Sequence, residues 1–210
     1  MMKPVFFLLL LCTGAVNLFG QRYVFYLHGA IVEYQGRNAV DKSRGFGAYE
    51  YDSIINAFRN EQFTVISECR PANTDVKLYA RKVAGQVDSL LTKGVKPGNI
   101  TVTGASKGAA IAMYVATYVH NSAVNYVFMS ACNESPGSMG DVSFCGNILS
   151  IYEATDDMAG SCLTWKKRSK LNVPNFKEIK LQTGRKHGYL YKPLPEWVGP
   201  CVTWAKGIYK

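Results

Sequence analysis

Long hydrophobic runs are missing from the sequence after its N-terminal segment. No stretch beyond residue 20 approaches the roughly 18 consecutive apolar residues of a membrane-spanning helix, so we expect no transmembrane span in the mature chain. Internal repeats, low-complexity tracts and linkers are also absent. A length of 210 residues, 48% of them hydrophobic, therefore predicts one domain with a substantial core.

Closely spaced cysteine pairs are absent as well. None of the six cysteines belongs to a Cys-x-x-Cys arrangement, which argues against a structural zinc site and against a redox motif. We expect the protein to need neither a metal nor an organic cofactor.

Acidic residues are outnumbered, since 15 Asp and Glu stand against 24 Lys and Arg, a formal net charge of +9. The local basic cluster of Lys166, Lys167, Arg168 and Lys170 lacks the interleaved aromatic residues of a nucleic-acid-binding surface. We interpret the cluster as a solvated helix face, the excess charge as a source of solubility, and we expect no nucleic-acid partner. Attraction to an anionic cell surface or substrate is the alternative.

The first twenty residues are organised like a secretory signal peptide. A short positive start, an unbroken apolar run over residues 5–11 and small residues follow one another. We expect cleavage after Gly20, with Ala15 as the alternative site, and an exported protein, periplasmic or secreted, whose domain spans residues 21–210. Lipidation at Cys12 and an uncleaved helical anchor are less favoured alternatives.

Apolar segments rich in β-branched and aromatic residues alternate with helical ones from Arg22 onward. The predicted strands are Tyr23–Leu27, Phe63–Ser67, Ile100–Thr103, Val124–Met129, Ile148–Tyr152 and Phe176–Leu181. The predicted helices are Tyr51–Arg59, Val76–Lys93, Lys107–Val119, Trp165–Leu171 and Trp197–Tyr209. This alternation predicts an α/β domain, a mostly parallel six-stranded sheet with helices on both faces. The polar connection from Ala30 to Ala48 is expected to be a loop, either functional or merely on the surface.

The most specific motif is Gly104-Ala-Ser106-Lys-Gly108, a G-x-S-x-G pattern between a predicted strand and a predicted helix. A turn of this kind strains the backbone of the serine and projects its hydroxyl over the C-terminal edge of the sheet. Small residues two positions before and after the serine leave room for that turn, and the helix directs its positive end at the site. We therefore predict that Ser106 is a nucleophile.

An acid and a histidine follow the serine in the order that such a nucleophile requires. The strand Ile148–Tyr152 ends in a segment that contains Asp156 and Asp157, and the last strand is followed by His187 in a glycine-flanked loop. A carboxylate just past a strand end lies on the same sheet edge as the serine. We predict His187 as the base and Asp156 as its orienting acid, with Asp157 as the alternative.

The sequence contains only two other histidines. His28 precedes the serine, and His120 lies at the far end of the helix that starts there, about 20 Å away by helical rise. Tyr23–Leu27 runs into His28-Gly29-Ala30, the usual start of an oxyanion loop. We expect the N–H groups of Ala30 and Lys107 to form the oxyanion hole and His28 to fix the loop.

These motifs together resemble the α/β-hydrolase superfamily over nearly the whole mature length, and most closely its small bacterial members with a Gly-Ala-Ser-Lys-Gly turn. The resemblance implies the strand order 2-1-3-4-5-6, with the usual N-terminal hairpin missing. It also implies a serine hydrolase that cleaves a small-molecule or lipid-like acyl ester, thioester or amide through an acyl-enzyme. The short connection Ala131–Asn147 leaves little material for a lid, so an open site is expected.

Two other functions fit parts of the sequence. A non-catalytic binding protein could use the same fold. The segment Thr103–Gly108 also resembles the phosphate-binding turn of short-chain dehydrogenases, but it follows the third strand, the third glycine position is Ala110, and no Tyr-x-x-x-Lys pair occurs downstream.

An exported chain is expected to contain a disulfide. Cys132 follows one predicted strand, and Cys162 follows the acid-bearing loop after the neighbouring strand. Parallel neighbours lie about 4.8 Å apart, so the C-terminal ends of these strands come within bridging range. We predict a Cys132–Cys162 disulfide, with Cys132–Cys145 as the rival pairing.

Overall fold

A computed structural model of the chain describes residues 20–133 and 139–210. The predicted signal peptide lies outside the described residues except for Gly20, and so does the middle of the Ala131–Asn147 connection. The helices are α1 (Ala30–Gln35), α2 (Tyr51–Asn60), α3 (Val76–Thr92), α4 (Lys107–Val119), α5 (Leu163–Arg168) and α6 (Pro195–Ala205). The strands are β1 (Tyr23–Leu27), β2 (Val40–Asp41), β3 (Gly47–Ala48), β4 (Thr64–Ile66), β5 (Ile100–Ala105), β6 (Asn125–Met129), β7 (Asn147–Glu153) and β8 (Phe176–Leu181).

Six of the strands form one sheet in the order β4-β1-β5-β6-β7-β8, and every neighbouring pair in it is parallel. The predicted α/β class, the six-stranded parallel sheet and the strand order are thereby confirmed. Strands β2 and β3 form a separate antiparallel pair. Because all six strands run the same way, their C-terminal ends meet along one edge of the sheet, where ligands of open α/β folds bind.

Two apolar clusters, one on each face, hold the sheet in place. Side chains of β1 alternate between them, with Phe25 and Leu27 in the cluster that includes α3 and α4, and Val24 and Tyr26 in the cluster that includes α2 and α6. Burial of each large side chain contributes about 1.5–3 kcal/mol. Double-sided burial explains why the central strands β1, β5 and β6 are buried along their whole length, and it gives the sheet edge a rigid base.

The connection Ala30–Ala48 is more regular than the predicted loop. It contains α1, a 3₁₀ turn over Gly36–Asn38 and the β2–β3 pair. Elements of two to six residues are too short for a hydrophobic period to emerge, so the sequence pattern could not reveal them. This connection packs at the sheet edge next to the predicted nucleophile.

Helix α6 also departs from its predicted bounds because local signals outweigh the apolar pattern. It starts at Pro195, whose fixed φ suits the first turn of a helix, and it ends before Gly207, which has a positive φ of 81°. In the part of the chain that the structure describes, no helix is long and apolar enough to cross a membrane.

The structure joins Cys132 to Cys162 in a disulfide, the pair that the sequence favoured, with Cα atoms 5.2 Å apart. The rival partner Cys145 is a free, buried thiol. The bond links the end of β6 to the segment that follows the predicted acid. The amide of Gly160 donates a 2.6 Å hydrogen bond to the Cys132 carbonyl, so a hydrogen bond and a disulfide both join these two segments.

Candidate active site

Ser106 occupies a sharp turn between β5 and α4. Its φ of 54° and ψ of −121° lie in a region that non-glycine residues avoid, at a cost of about 1–3 kcal/mol. The turn is held by a 2.8 Å hydrogen bond from the Ser106 amide to the Met129 carbonyl of β6. The structure therefore contains the strained turn that the G-x-S-x-G pattern predicted.

The two glycines of the motif are required by close backbone contacts. A Cβ atom on Gly104 would lie 2.3 Å from the Gly108 carbonyl oxygen, and one on Gly108 would lie 1.9 Å from the carbonyl oxygen of Leu27. No side chain fits at either distance. The start of α4 is thus pressed directly against the end of β1, which places the turn beside the predicted oxyanion loop.

His187 lies in a 3₁₀ segment after β8 and is almost completely buried. Its Nδ1 lies 2.8 Å from Oδ2 of Asp156, which follows β7. An ionised carboxylate only accepts hydrogen bonds, so Nδ1 carries the proton and Nε2 is left as a base. Asp157, the alternative acid, is exposed at the surface.

The Asp156 carboxylate accepts hydrogen bonds from two further groups. The Ser130 hydroxyl lies 2.8 Å from Oδ2, and the Met158 amide lies 2.9 Å from Oδ1. Burial raises the pKa of Asp156, but the hydrogen bond from His187 and its electrostatic attraction, with the other two donors, outweigh burial and hold the pKa below its usual value. The carboxylate is therefore ionised at neutral pH.

Ser130 is a site residue that sequence reasoning missed. It follows β6 with a positive φ of 49°, and its hydroxyl also lies 3.0 Å from the Tyr189 hydroxyl. The position directly after a strand at the same edge was the available signal. A serine there carries no recognisable motif, so only the fold reveals its contact with Asp156.

Glu153 braces the acid-bearing loop against the histidine-bearing loop. Its buried carboxylate accepts hydrogen bonds from the Thr183 amide at 2.8 Å and the Thr183 hydroxyl at 2.7 Å. Burial raises the pKa of Glu153, and these hydrogen bonds, with those from Thr155, lower it below its usual value. The sequence placed Glu153 in the acid-bearing segment but gave it no role.

Ser106 and His187 line one cavity of about 80 Å³. Its other lining side chains are mostly apolar and include Ile31, Met158 and Leu190. The cavity lies at the C-terminal edge of the sheet. The structure therefore brings the predicted nucleophile and the predicted base to the same small space.

Ala30 and Lys107 are the first residues of α1 and α4. N–H groups in the first turn of a helix have no intrahelical acceptor, and the helix dipole adds positive potential there. A Cβ atom on Gly29 would lie 3.6 Å from Cβ of Ser106, so the two helix starts are adjacent. Both N–H groups predicted for the oxyanion hole thus lie beside the serine.

His28 is buried in a position that suits a loop-fixing residue. Nδ1 lies 2.8 Å from the Gly29 carbonyl oxygen, and Nε2 accepts a 3.0 Å hydrogen bond from the Arg70 amide. Burial, then the Arg70 charge, lowers the pKa of His28 to about 4. The ring is therefore neutral at physiological pH, with both nitrogens engaged in holding the backbone.

A buried ionic network that the sequence did not predict joins the two helix starts. Glu33 of α1 accepts a 2.9 Å hydrogen bond from Arg70 Nε and a 2.6 Å hydrogen bond from Lys107 Nζ. The side chains of Glu33 and Arg70 are fully buried. Arg70 also donates to the His28 carbonyl. These contacts fix α1 relative to α4, and hence Ala30 relative to Lys107.

Within residues 20–133 and 139–210, no cluster of three or more His, Cys, Asp or Glu side chains is arranged to hold a metal ion. The chemistry that this site can support with its own groups is proton transfer and nucleophilic attack beside the starts of α1 and α4.

No family model and no curated protein matches this sequence. Solved structures do match. SOBER1 of Arabidopsis thaliana aligns over 90% of this chain and 100% of its own, with 14% identity and a TM-score of 0.60. Esterase PE8 aligns over 91% of this chain and 95% of its own, with 13% identity and a TM-score of 0.55.

A protein from Xanthomonas campestris pv. campestris that is assigned to the α/β hydrolase superfamily aligns over 90% of this chain and 98% of its own. The identity is 11% and the TM-score 0.55. At such identities the likeness concerns the fold alone. The chain has the fold of the α/β hydrolases.

Proposed function

We propose that the protein is a serine hydrolase that cleaves carboxylic esters, with Ser106 as nucleophile, His187 as base and Asp156 as orienting acid. The observation that carries the proposal is the 2.8 Å contact of His187 Nδ1 with Asp156, at a histidine that shares a small cavity with a strained serine. Solved structures with this fold include an esterase and an arylesterase, which supports the same reaction class.

The reaction starts when His187 Nε2 takes the proton of the Ser106 hydroxyl as Oγ attacks the ester carbonyl carbon. Asp156 stays ionised and stabilises the imidazolium that forms. The carbonyl oxygen becomes an oxyanion, which accepts hydrogen bonds from the N–H groups of Ala30 and Lys107. Each such donor is worth about 3 kcal/mol in the transition state.

Collapse of the tetrahedral intermediate breaks the bond to the alcohol. His187 returns its proton to the leaving oxygen, and the acyl group remains on Ser106. A water molecule then gives a proton to His187 and attacks the carbonyl carbon of the acyl-enzyme. Collapse of the second tetrahedral intermediate releases the carboxylic acid, and His187 returns the proton to Ser106 Oγ. The same two N–H groups stabilise the second oxyanion.

Covalent labelling with a fluorophosphonate, followed by mapping of the labelled peptide, tests this proposal. We expect label on Ser106, with loss of label in Ser106→Ala and retention in Ser89→Ala, a matched change at an exposed serine of α3. Hydrolysis of p-nitrophenyl acetate should follow the same pattern. Label on another residue, or esterase activity in Ser106→Ala, would contradict the assignment.

We also propose that the protein acts outside the cytoplasm. The signal-peptide pattern of the first twenty residues and the Cys132–Cys162 disulfide support this location, since disulfides persist in oxidising compartments. N-terminal sequencing of the mature protein from a cell fractionation tests it. A chain that keeps residues 1–20 in the cytoplasmic fraction would contradict it.

A further inference from the structure

The cavity of about 80 Å³ that Ser106 and His187 line is called the catalytic cavity below. A cleft of about 770 Å³ lies beside it. One wall is α1, and the other is the segment 40–44, which contains β2 and the turn that follows it. Ala30, Ile31 and Arg44 line both the cleft and the catalytic cavity, so the two spaces adjoin. A substrate held at Ser106 therefore has its remaining part within reach of the cleft.

The acidic residue of the cleft does not present its charge to a ligand. The side chain of Asp41 is only 2% exposed, and its carboxylate accepts hydrogen bonds from the Ser43 hydroxyl, the Arg44 amide, Arg44 Nε and the Tyr191 hydroxyl. Burial raises the pKa of Asp41, but these hydrogen bonds and the Arg44 charge lower it to about 2. Asp41 is thus ionised, and its hydrogen-bonding capacity is used within the protein.

Arg44, by contrast, remains available to a ligand. Its side chain is 45% exposed, and it is held by Asp41 through Nε, by the Met158 sulfur 3.2 Å from Nη1, and by the Phe46 ring 5.2 Å from Cζ. Within the described residues, Nη2 has no hydrogen-bond partner. A guanidinium fixed on one side with free N–H groups on the other suits a carboxylate or a phosphate.

The balance of charge in the cleft is positive. Lys42 and Arg44 contribute two positive charges against the single negative charge of Asp41, a net charge of +1. Lys42 forms no ion pair with any residue in the described part of the chain. The catalytic cavity differs, because it has apolar walls that the cleft lacks, formed by Met158 and Leu190.

We propose that the substrate is an ester with a short apolar group on one side of the scissile bond and an anionic group, a carboxylate or a phosphate, on the other. The apolar group occupies the catalytic cavity, and the anionic group binds Arg44 in the cleft. This inference rests on the proposed hydrolase function and assigns the substrate class of that same site.

The test compares kcat/KM for matched anionic and neutral esters, each divided by its uncatalysed rate. On the alcohol side, 4-acetoxybenzoate and 4-acetoxyphenyl phosphate are compared with 4-acetoxybenzamide. On the acyl side, phenyl hydrogen adipate is compared with phenyl hexanoate. We expect the wild-type protein to prefer the anionic member of at least one set by roughly tenfold, as a charge-assisted hydrogen bond would give. The preferred anion then distinguishes carboxylate from phosphate.

Substitutions of Arg44 test whether that preference arises in the cleft. Arg44→Gln should reduce the anionic-to-neutral ratio about tenfold, and Arg44→Lys, which keeps the charge without the planar fork, should reduce it less. Arg37→Gln removes the same charge from an exposed ion pair with Asp52 outside the cleft and should leave the ratio unchanged. Circular dichroism verifies that each variant is folded. If Arg44→Gln does not fold, Arg44→Lys alone provides the test.

Two results would overturn the inference while leaving the hydrolase proposal intact. The first is a wild-type ratio within twofold of unity in every set. The second is an equal loss of the ratio in Arg44→Gln and Arg37→Gln. If no ester is hydrolysed and Ser106 takes no fluorophosphonate label, the proposed function itself fails, and this inference fails with it.

Discussion

The two ends of the central strands are built differently. At the C-terminal edge, Ser106, Ser130 and Lys186 have positive φ values, and the polar contacts involve ionised groups such as Asp156. At the N-terminal edge, neutral groups form a hydrogen-bonded set of Asn125, Asn147, Asn175 and Tyr209. The strained serines and the ionised Asp156 thus lie at the same edge of the sheet.

The four residues at the N-terminal edge satisfy most of one another's hydrogen-bonding groups. Asn125 and Asn147 are the first residues of β6 and β7, and they face each other in register. The Asn147 amide donates to Asn125 and Tyr209 and accepts from Asn175 at 2.8 Å. Since these groups satisfy one another, they can stabilise the sheet without presenting reactive groups. The comparison predicts that substitutions of the hydrogen-bonded polar side chains at the two edges affect different properties, activity at the C-terminal edge and stability at the N-terminal edge.

The largest effect is expected for Ser106→Ala. Loss of the nucleophile should reduce kcat by about 10⁴–10⁶, while the thermal midpoint stays near that of the wild type. If the proposed triad acts as a unit, Ser106→Ala combined with His187→Ala should be no slower than either alone. Ester hydrolysis and differential scanning calorimetry measure the two quantities. Additive losses in the double variant would contradict a shared mechanism.

The next largest effect is expected for Asp156→Asn, with Asp157→Asn as its comparison. An amide at residue 156 no longer fixes the His187 tautomer, so kcat should fall by roughly 10⁴. Asp157 is exposed, and its substitution should change kcat less than twofold. Steady-state kinetics on both variants decide the matter, and a larger loss at Asp157 would reverse the assignment.

Removal of the disulfide should mainly affect stability, although the bond lies at the active-site edge. Cys132→Ser with Cys162→Ser opens a closed loop of 30 residues, which is worth about 3 kcal/mol in the chain-entropy model. Urea unfolding under non-reducing conditions measures the loss, with Cys145→Ser as control at a free thiol. Free thiols at both Cys132 and Cys162 in peptide maps of the untreated wild type would contradict the pairing.

Asn147→Ala tests the opposite edge. The change removes one of the hydrogen bonds that Asn125 accepts and the acceptor of the Asn175 side chain, so the free energy of unfolding should fall by about 2 kcal/mol. The kcat value should be unchanged, because the residue lies at the far end of β7 from Asp156. Chemical denaturation and kinetics on one preparation test both statements. If kcat also fell in Asn147→Ala, the two edges would not differ in the way that we predict.

The smallest effect is expected for Lys107→Met, which keeps the backbone N–H but removes the ammonium that holds Glu33. A looser oxyanion hole should lower kcat by roughly fivefold with little change in KM, since only transition-state stabilisation is affected. Lys206→Met removes an exposed ion pair with Glu61 and serves as the matched control. Equal changes in both variants would argue against the positioning role of Glu33.

The sequence predicted the parts of the site that depend on local pattern. The strained turn at Ser106 follows from glycines at fixed spacing, and the strands follow from their apolar character. Asp156 and His187 were predicted because they come just after strands, and strand ends converge in a parallel sheet. The catalytic roles of these residues remain predictions until the kinetic tests are made.

The contacts that the sequence could not predict are those between distant, unpatterned residues. Glu33 and Arg70 are 37 positions apart, and each lies in a connection without a recognisable motif. The buried pair exists only because α1 and the segment after β4 are neighbours of β1. Ser130 and the cleft beside Arg44 were missed for the same reason, since they depend on how short elements pack in three dimensions.

The contact between Gly108 and Leu27 bears on when the serine becomes reactive. These residues lie in segments separated by most of the first half of the chain, and their backbones touch only after β1 has paired with β5. Before that pairing, Ser106 is an ordinary alcohol. Under the proposed mechanism, the reactivity of Ser106 depends on this long-range contact, so labelling of Ser106 would report the yield of correctly folded molecules.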